Sequence, residues 1–127
     1  MNTEVETLPD LYGLVMKGDC PEAPAIKDGS VVAVSKVERY TADDLVIVWF
    51  RPDCIPAGSM QARLRRVVLM PPPFVRFPYR VAPASEAIPV IGFAVNDPTK
   101  YQAITCDRIL AVHKCLGPVP HNQQTEG

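Results

Sequence analysis

Fourteen prolines are spread through a chain of 127 residues, about double ordinary usage, and they limit the fold before any other feature does. Each lacks a backbone donor and costs a helix interior roughly 3 kcal/mol, so long helices are excluded and short strands joined by stiff loops are expected. The apolar pattern agrees. Ser30 to Val37 is β-branched, and Leu45 to Phe50 is the strongest strand signal in the chain. Ala62 to Met70 alternates so that Arg63 and Arg65 share one face while Leu64, Arg66 and Val68 share the other. Further strands are expected over Leu11 to Lys17, Phe74 to Val81 (at a sheet edge), Ile88 to Val95 and Arg108 to Leu116. Pro71-Pro72-Pro73 is a stiff connector, and Asn96-Asp97-Pro98 reads as a turn by its side-chain chemistry. The expected fold class is all-β, a small domain of several coiled antiparallel sheets without internal repeats.

The length fits one domain with a real core. Residues 1–10 carry acids and Pro9 without periodicity and read as a flexible N-terminal arm, 11–116 as the β domain, and 117–127 as a flexible polar tail. A net charge of −1 and a pI near 6.1 give no general attraction to nucleic acid or to an anionic membrane, so neither is expected as a partner. No apolar run approaches the ~20 residues of a transmembrane helix, and the acidic N-terminus is unlike a signal peptide, which points to the cytoplasm. Cys20, Cys54, Cys106 and Cys115 lack any C-x-x-C spacing and read as free thiols of a reducing compartment.

The stretch from Met16 to Gly29 organises the rest. An apolar run enters it, Gly18-Asp19 turns it, Pro21 and Pro24 stiffen it, and Lys27-Asp28-Gly29 closes it before the next apolar run. Lys17 to Gly29 resembles the G-D-S-M-x-P nucleophile loop of the self-cleaving serine peptidases of the LexA/UmuD type, whose fold is shared with bacterial signal peptidases. Leu64-Arg65-Arg66-Val67 resembles that family's V-K-R-L strand, which carries the general-base lysine. Asn96 to Ile104, followed by Asp107 to Val112, resembles its N-P-x-Y block and last strand.

The resemblance implies a serine nucleophile and a lysine that burial keeps neutral when it acts. This chain has neither. Aligned from its left side, the loop puts Cys20 at the serine position; aligned backwards from Asp28-Gly29, it puts Pro21 there. Arg65 stands for the lysine, and a guanidinium does not give up its proton in a protein. No catalytic residue is therefore expected. Gly18, Asp19, Cys20, Pro21 and Arg65 are read as a remnant cleft, and the chain as an inactive peptidase-like domain that works as a regulatory or protein-interaction module, of the kind phages and mobile elements encode. Two alternatives stay open: an active peptidase with Cys20 as nucleophile, served by Lys17, Lys27 or Lys36, and a redox-sensitive thiol at Cys20 whose thiolate is stabilised by the positive charge of Arg65.

The family's habits also imply a homodimer formed through the last strand, with Arg108, Ile109, Leu110, Ala111, Val112 and His113 at the interface. No helix-turn-helix fits in the chain, so operator recognition is not expected. Ala57-Gly58-Ser59-Met60 resembles a signal-peptidase serine box only superficially and reads as a loop turn. His113, Cys115 and Cys106 fall short of a zinc set, and neither metal nor cofactor is expected. Arg63, Arg65, Arg66, Arg76 and Arg80 form a candidate basic patch, but alternating strand faces keep them from all pointing one way.

Overall fold

The computed structural model describes residues 3–18, 23–81, 87–95 and 97–119; Asp19, Cys20, Pro21 and Asn96 lie outside them. The protein is all-β. Seven antiparallel strands, β1 (Leu11–Val15), β2 (Val31–Ser35), β3 (Leu45–Phe50), β4 (Ala62–Leu69), β5 (Val90–Val95), β6 (Asp97–Thr105) and β7 (Ile109–Pro118), form one continuous sheet in the order β1-β2-β7-β3-β4-β5-β6. Where several sheets were expected, a single sheet carries a core on each face.

The central strand explains this arrangement. β3 is laddered to β4 on one side and to β7 on the other, and it is buried on both faces, which is why its sequence is apolar throughout instead of alternating. Val46, Val48 and Phe50 face a core with Val67, Ile91, Phe93, Ile104, Cys106 and Ile109. Ile47 faces the other core, with Val32, Val34, Ala62, Leu64 and Cys115, capped by Met16, Ala23 and Ile26 from the long β1–β2 connection. Since paired residues of antiparallel neighbours share a face, these two sets define the sides of the sheet for every other residue.

Two expectations about local structure are corrected. Phe74 to Val81 is not a strand. Val75, Phe77 and Tyr79 do turn inward against the first core while Phe74, Arg76, Pro78 and Arg80 point out, so the period-2 signal was real. But the segment is turns and bends, with a cis Phe77–Pro78 bond and a Val75 N–H to Pro72 carbonyl turn, and it serves as a cover for the core. The Asn96-Asp97-Pro98 turn is shorter than expected: Asp97 already pairs with Val95, and β6 runs from there. Pro98 is tolerated because β6 is the outermost strand.

The described residues next to the sheet at either end make contacts with it. Thr3–Glu6 is a single helical turn, Val5 is buried, and Lys36 Nζ donates to the carbonyls of Glu6 and Leu8 at 3.1 and 2.7 Å. β7 extends to Pro118, and Val119 N–H donates to the Val31 carbonyl at 2.8 Å.

Candidate functional site

The neck of the Met16–Gly29 loop is closed by backbone bonds. Met16 N–H donates to Ser30 O and Gly29 N–H to Met16 O, both at 2.8 Å, while Gly18 N–H donates to the Asp28 carboxylate at 2.6 Å. Gly18 and Gly29 both have φ near +80° (77° and 86°), a conformation costly for any residue with a Cβ, which is why glycines hold these two corners. Ile26 N–H bonds Ala23 O at 2.9 Å, and Ala23 and Ile26 reach down onto the sheet.

The sheet face beneath this loop separates it from Arg65. Ile47 pairs with Leu64, and both join Met16, Ala23 and Ile26 in one core; Val46 pairs with Arg65, and Val46 belongs to the opposite core. On β4, Ala62 and Leu64 are therefore the side chains packed in the core beneath the loop, while Arg66, farther along the same face, donates to the Asp43 carbonyl. Arg65 lies instead on the far side, in a concavity with Arg63 and Arg108, where its guanidinium donates to the Leu64 carbonyl at 2.8 Å. Of the other cleft residues, Gly18 forms the loop's corner as described above, and Asp19, Cys20 and Pro21 lie outside the described residues.

The remaining candidates sort onto the two faces in the same way. Cys106 sits in the first core and Cys115 in the second, with His113 two residues from Cys115 on the same face, so the three do not converge. Among the described residues no group of three His, Cys, Asp or Glu side chains gathers as a metal site would require. Ala57-Gly58-Ser59-Met60 is a loop turn, with Gly58 at φ 83° and Ser59 N–H bonded to Pro56 O at 3.1 Å. Of the five arginines considered as a patch, Arg66 turns to the Asp43 carbonyl at 2.6 Å, Arg76 turns to the Pro73 carbonyl at 2.9 Å and Arg80 lines a separate groove, while Arg63 and Arg65 stay together.

One cluster escaped the sequence reading altogether. Trp49 Nε1 donates to the Tyr12 hydroxyl at 3.0 Å, and that hydroxyl lies 2.8 Å from His113 Nδ1, with the two rings edge to face at 5.8 Å. A tyrosine hydroxyl that accepts from indole donates its own proton onward, so Nδ1 is the acceptor and the neutral imidazole carries its proton on Nε2. Burial pushes the Tyr12 hydroxyl up to about 12, and burial with the Lys36 charge pushes His113 down to about 4. The imidazole is thus neutral at physiological pH. It borders an open groove of about 850 Å³ shared with Lys36, Arg51, Tyr79 and Leu110.

The two halves of β7 differ in their neighbours, and the expected dimer residues fall in the first half. Lys114, Cys115, Gly117 and Pro118 pair with β2, whereas Ile109, Ala111, Val112 and His113 pair with β3 only, so the other edge of that half-strand faces the groove. Arg108 belongs to the short 3₁₀ turn just before it. Leu11 (62% exposed) and Val15 (51%) on β1 and Leu116 (43%) on β7 are exposed apolar side chains. Among the described residues no helix is long and apolar enough to cross a membrane. Comparison with known protein families, with curated proteins and with solved structures finds no match for this chain.

Proposed function

We propose that the protein is a peptidase-like β domain of the LexA/UmuD type that has lost catalysis and acts by binding a protein partner. The observation that carries this reading is the apolar floor under the Met16–Gly29 loop. Self-cleavage needs a group there that accepts a proton, and β4 offers Ala62 and Leu64. The cation that the motif aligns with the family's base is turned away on the opposite face. Lys36, one of the lysines named as an alternative base, is engaged by two backbone carbonyls at the N-terminal turn.

What remains is a β scaffold that exposes Leu11 and Val15 on β1 and Leu116 on β7, apolar surface that a protein partner would cover. Self-association belongs to the same proposal, through these side chains or through the edge at Ile109 to His113.

The decisive test of lost catalysis is intact-mass spectrometry after prolonged incubation at alkaline pH, where any lysine base would be neutral. The expected result is an unchanged mass. A defined internal cut that disappears in Cys20→Ala would establish the peptidase alternative and sink the proposal. Alkylation rates across pH separate off the redox alternative, which requires Cys20 to react faster than Cys54, Cys106 and Cys115. For association, sedimentation of the wild type against Val15→Glu is expected to show a self-associating species weakened by the substitution.

A further inference from the structure

The sheet has two edges, β1 and β6, and their sequences differ in kind. β6 carries Pro98 and Lys100 and meets β5 with a register shift at Ala94/Val95; proline, lysine and irregular register all keep an edge strand from pairing with another chain. β1, Leu-Tyr-Gly-Leu-Val, has neither proline nor charge, and its ladder with β2 runs from Leu11 to Val15 without a shift. It is the unguarded edge, and Leu11 and Val15 on it are exposed.

The direction of the β1 backbone follows from the bonds at its two ends. Lys36 N–H donates to the Asp10 carbonyl and Met16 N–H to the Ser30 carbonyl, both at 2.8 Å, so residues 10 and 16 direct these groups toward β2. In an antiparallel ladder that direction reverses at each residue. Tyr12 and Leu14 therefore bond into the ladder, while Leu11, Gly13 and Val15 turn both N–H and C=O to the outer edge. Among the described residues no strand and no other hydrogen bond reaches those groups. The same alternation puts the Leu11 and Val15 side chains on one face, with Gly13 between them.

We propose that this edge is an interaction surface for a second copy of the chain, β1 pairing antiparallel with β1 across a two-fold axis at Gly13. Self-complementarity selects a second copy over a foreign strand. With Gly13 opposite Gly13, Leu11 of each copy lies opposite Val15 of the other, and every outward N–H meets an outward C=O, because positions 11, 13 and 15 are spaced evenly around the axis. Apolar side chains meet apolar ones at both outer pairs. The flanking charges agree: Asp10 precedes the strand and Lys17 follows it, both exposed, so antiparallel pairing brings the acid of each copy beside the lysine of the other. Register is fixed too. A one-residue slip sets Gly13 against Leu14, whose groups are committed to β2, and a two-residue slip draws Lys17 or Pro9, which has no N–H, into the seam. A seam of 5 residues per copy is short, so the dimer is weak and concentration-dependent. The assignment deepens the reading of the protein as an association module, on which it rests, by naming the partner and the strand.

The test is amide hydrogen exchange by NMR on the full chain at rising concentration, up to about 1 mM, with sedimentation equilibrium on the same samples. The expected result is a dimer whose formation protects the amides of Leu11, Gly13 and Val15, while those of Tyr12 and Leu14 are protected at every concentration. Leu11→Lys and Val15→Glu, both at exposed side chains, should each weaken association about tenfold or more, because each substitution enters the seam twice. The double variant should recover most of that loss, since it sets opposite charges across the seam, whereas within one copy the two positions lie about 13 Å apart. A dimer that leaves the three outward amides unprotected would overturn the β1 seam and leave association through another surface in place. A chain that stays monomeric throughout would overturn the seam and self-association together, and a folded double variant no better than either single one would overturn the pairing at Gly13. The wild-type exchange data decide the matter even where a variant fails to fold, and none of these outcomes alters the mass expected in the cleavage test.

Discussion

His113 should contribute to the destabilisation of this protein by acid. Its side chain is 6% exposed, accepts from the Tyr12 hydroxyl, and has Lys36 as its nearest contributing charge, which together hold its pKa near 4 against an unperturbed 6.5. The unfolded chain therefore takes up this proton first as pH falls. Between about pH 6.5 and 4 the unfolded state binds more protons than the folded one, so stability is complete above that window, declines through it, and is flat below it. A difference of about 2.5 units at 1.36 kcal/mol each sets a ceiling of about 3 kcal/mol. Part of the effect comes from Lys36 across an open groove, where solvent screens it, so about 2 kcal/mol is the expected share. The assay is urea unfolding at several pH values for the wild type and for His113→Gln, whose amide oxygen can still accept from Tyr12. Subtracting one pH profile from the other cancels the carboxylates, which titrate in both. The reasoning is refuted if the two profiles run parallel, or if the His113 ring titrates near 6.5 by NMR in the folded protein.

Other consequences follow from named contacts. Tyr12→Phe leaves the Trp49 indole and His113 Nδ1 each without its partner, and should cost about 1–3 kcal/mol in chemical unfolding, more than the hydroxyl's small volume suggests. A Cβ at Gly92 would lie 2.8 Å from Leu69 Cβ and 2.8 Å from the Tyr101 ring, so Gly92→Ala should destabilise by about 1–3 kcal/mol, and adding Tyr101→Ala should recover part of that loss in a double-mutant cycle. Lys36→Met removes the two bonds that hold the N-terminal turn, and limited proteolysis should then cut ahead of Asp10 faster than in the wild type. The pair Cys20→Ser with Arg65→Lys should stay uncleaved, because position 65 faces away from the loop; cleavage in that variant would contradict the placement of β4.

Much of the framework was legible because strand chemistry is local. Leu45 to Phe50 was delimited from sequence alone, and the alternation along β4 correctly divided Arg63 and Arg65 from Leu64. The errors have the same root as the successes. Alternation at Val75, Phe77 and Tyr79 reports which side of an extended segment is buried, and it reports this equally well for a covering loop as for a laddered strand. β6 was hidden because Asn-Asp-Pro carries strong turn chemistry, and only its place at the sheet edge makes Pro98 compatible with a strand. Tyr12 and His113 are 101 residues apart and meet across β2, a proximity that depends on β7 inserting between β2 and β3. No local pattern encodes that insertion.

The same insertion bears on how the motif should be read. A sequence motif aligns residues along the chain, but whether two of them can react depends on which side of the sheet each occupies, and along a strand that side changes at every step. Arg65 and Leu64 are one position apart, yet they belong to different cores. If position 65 descends from a base lysine, losing the lysine and changing the face it looks onto are two separate departures, and reversing the first does not reverse the second. A proton acceptor beneath the loop would need a basic side chain at position 64, in the core that Met16, Ala23 and Ile26 cap. A lysine there would replace a leucine that is 3% exposed, and burial of its charge would cost several kcal/mol unless the amine stayed neutral. The packing that stabilises the Met16–Gly29 loop on its scaffold thus opposes the chemistry the motif would require.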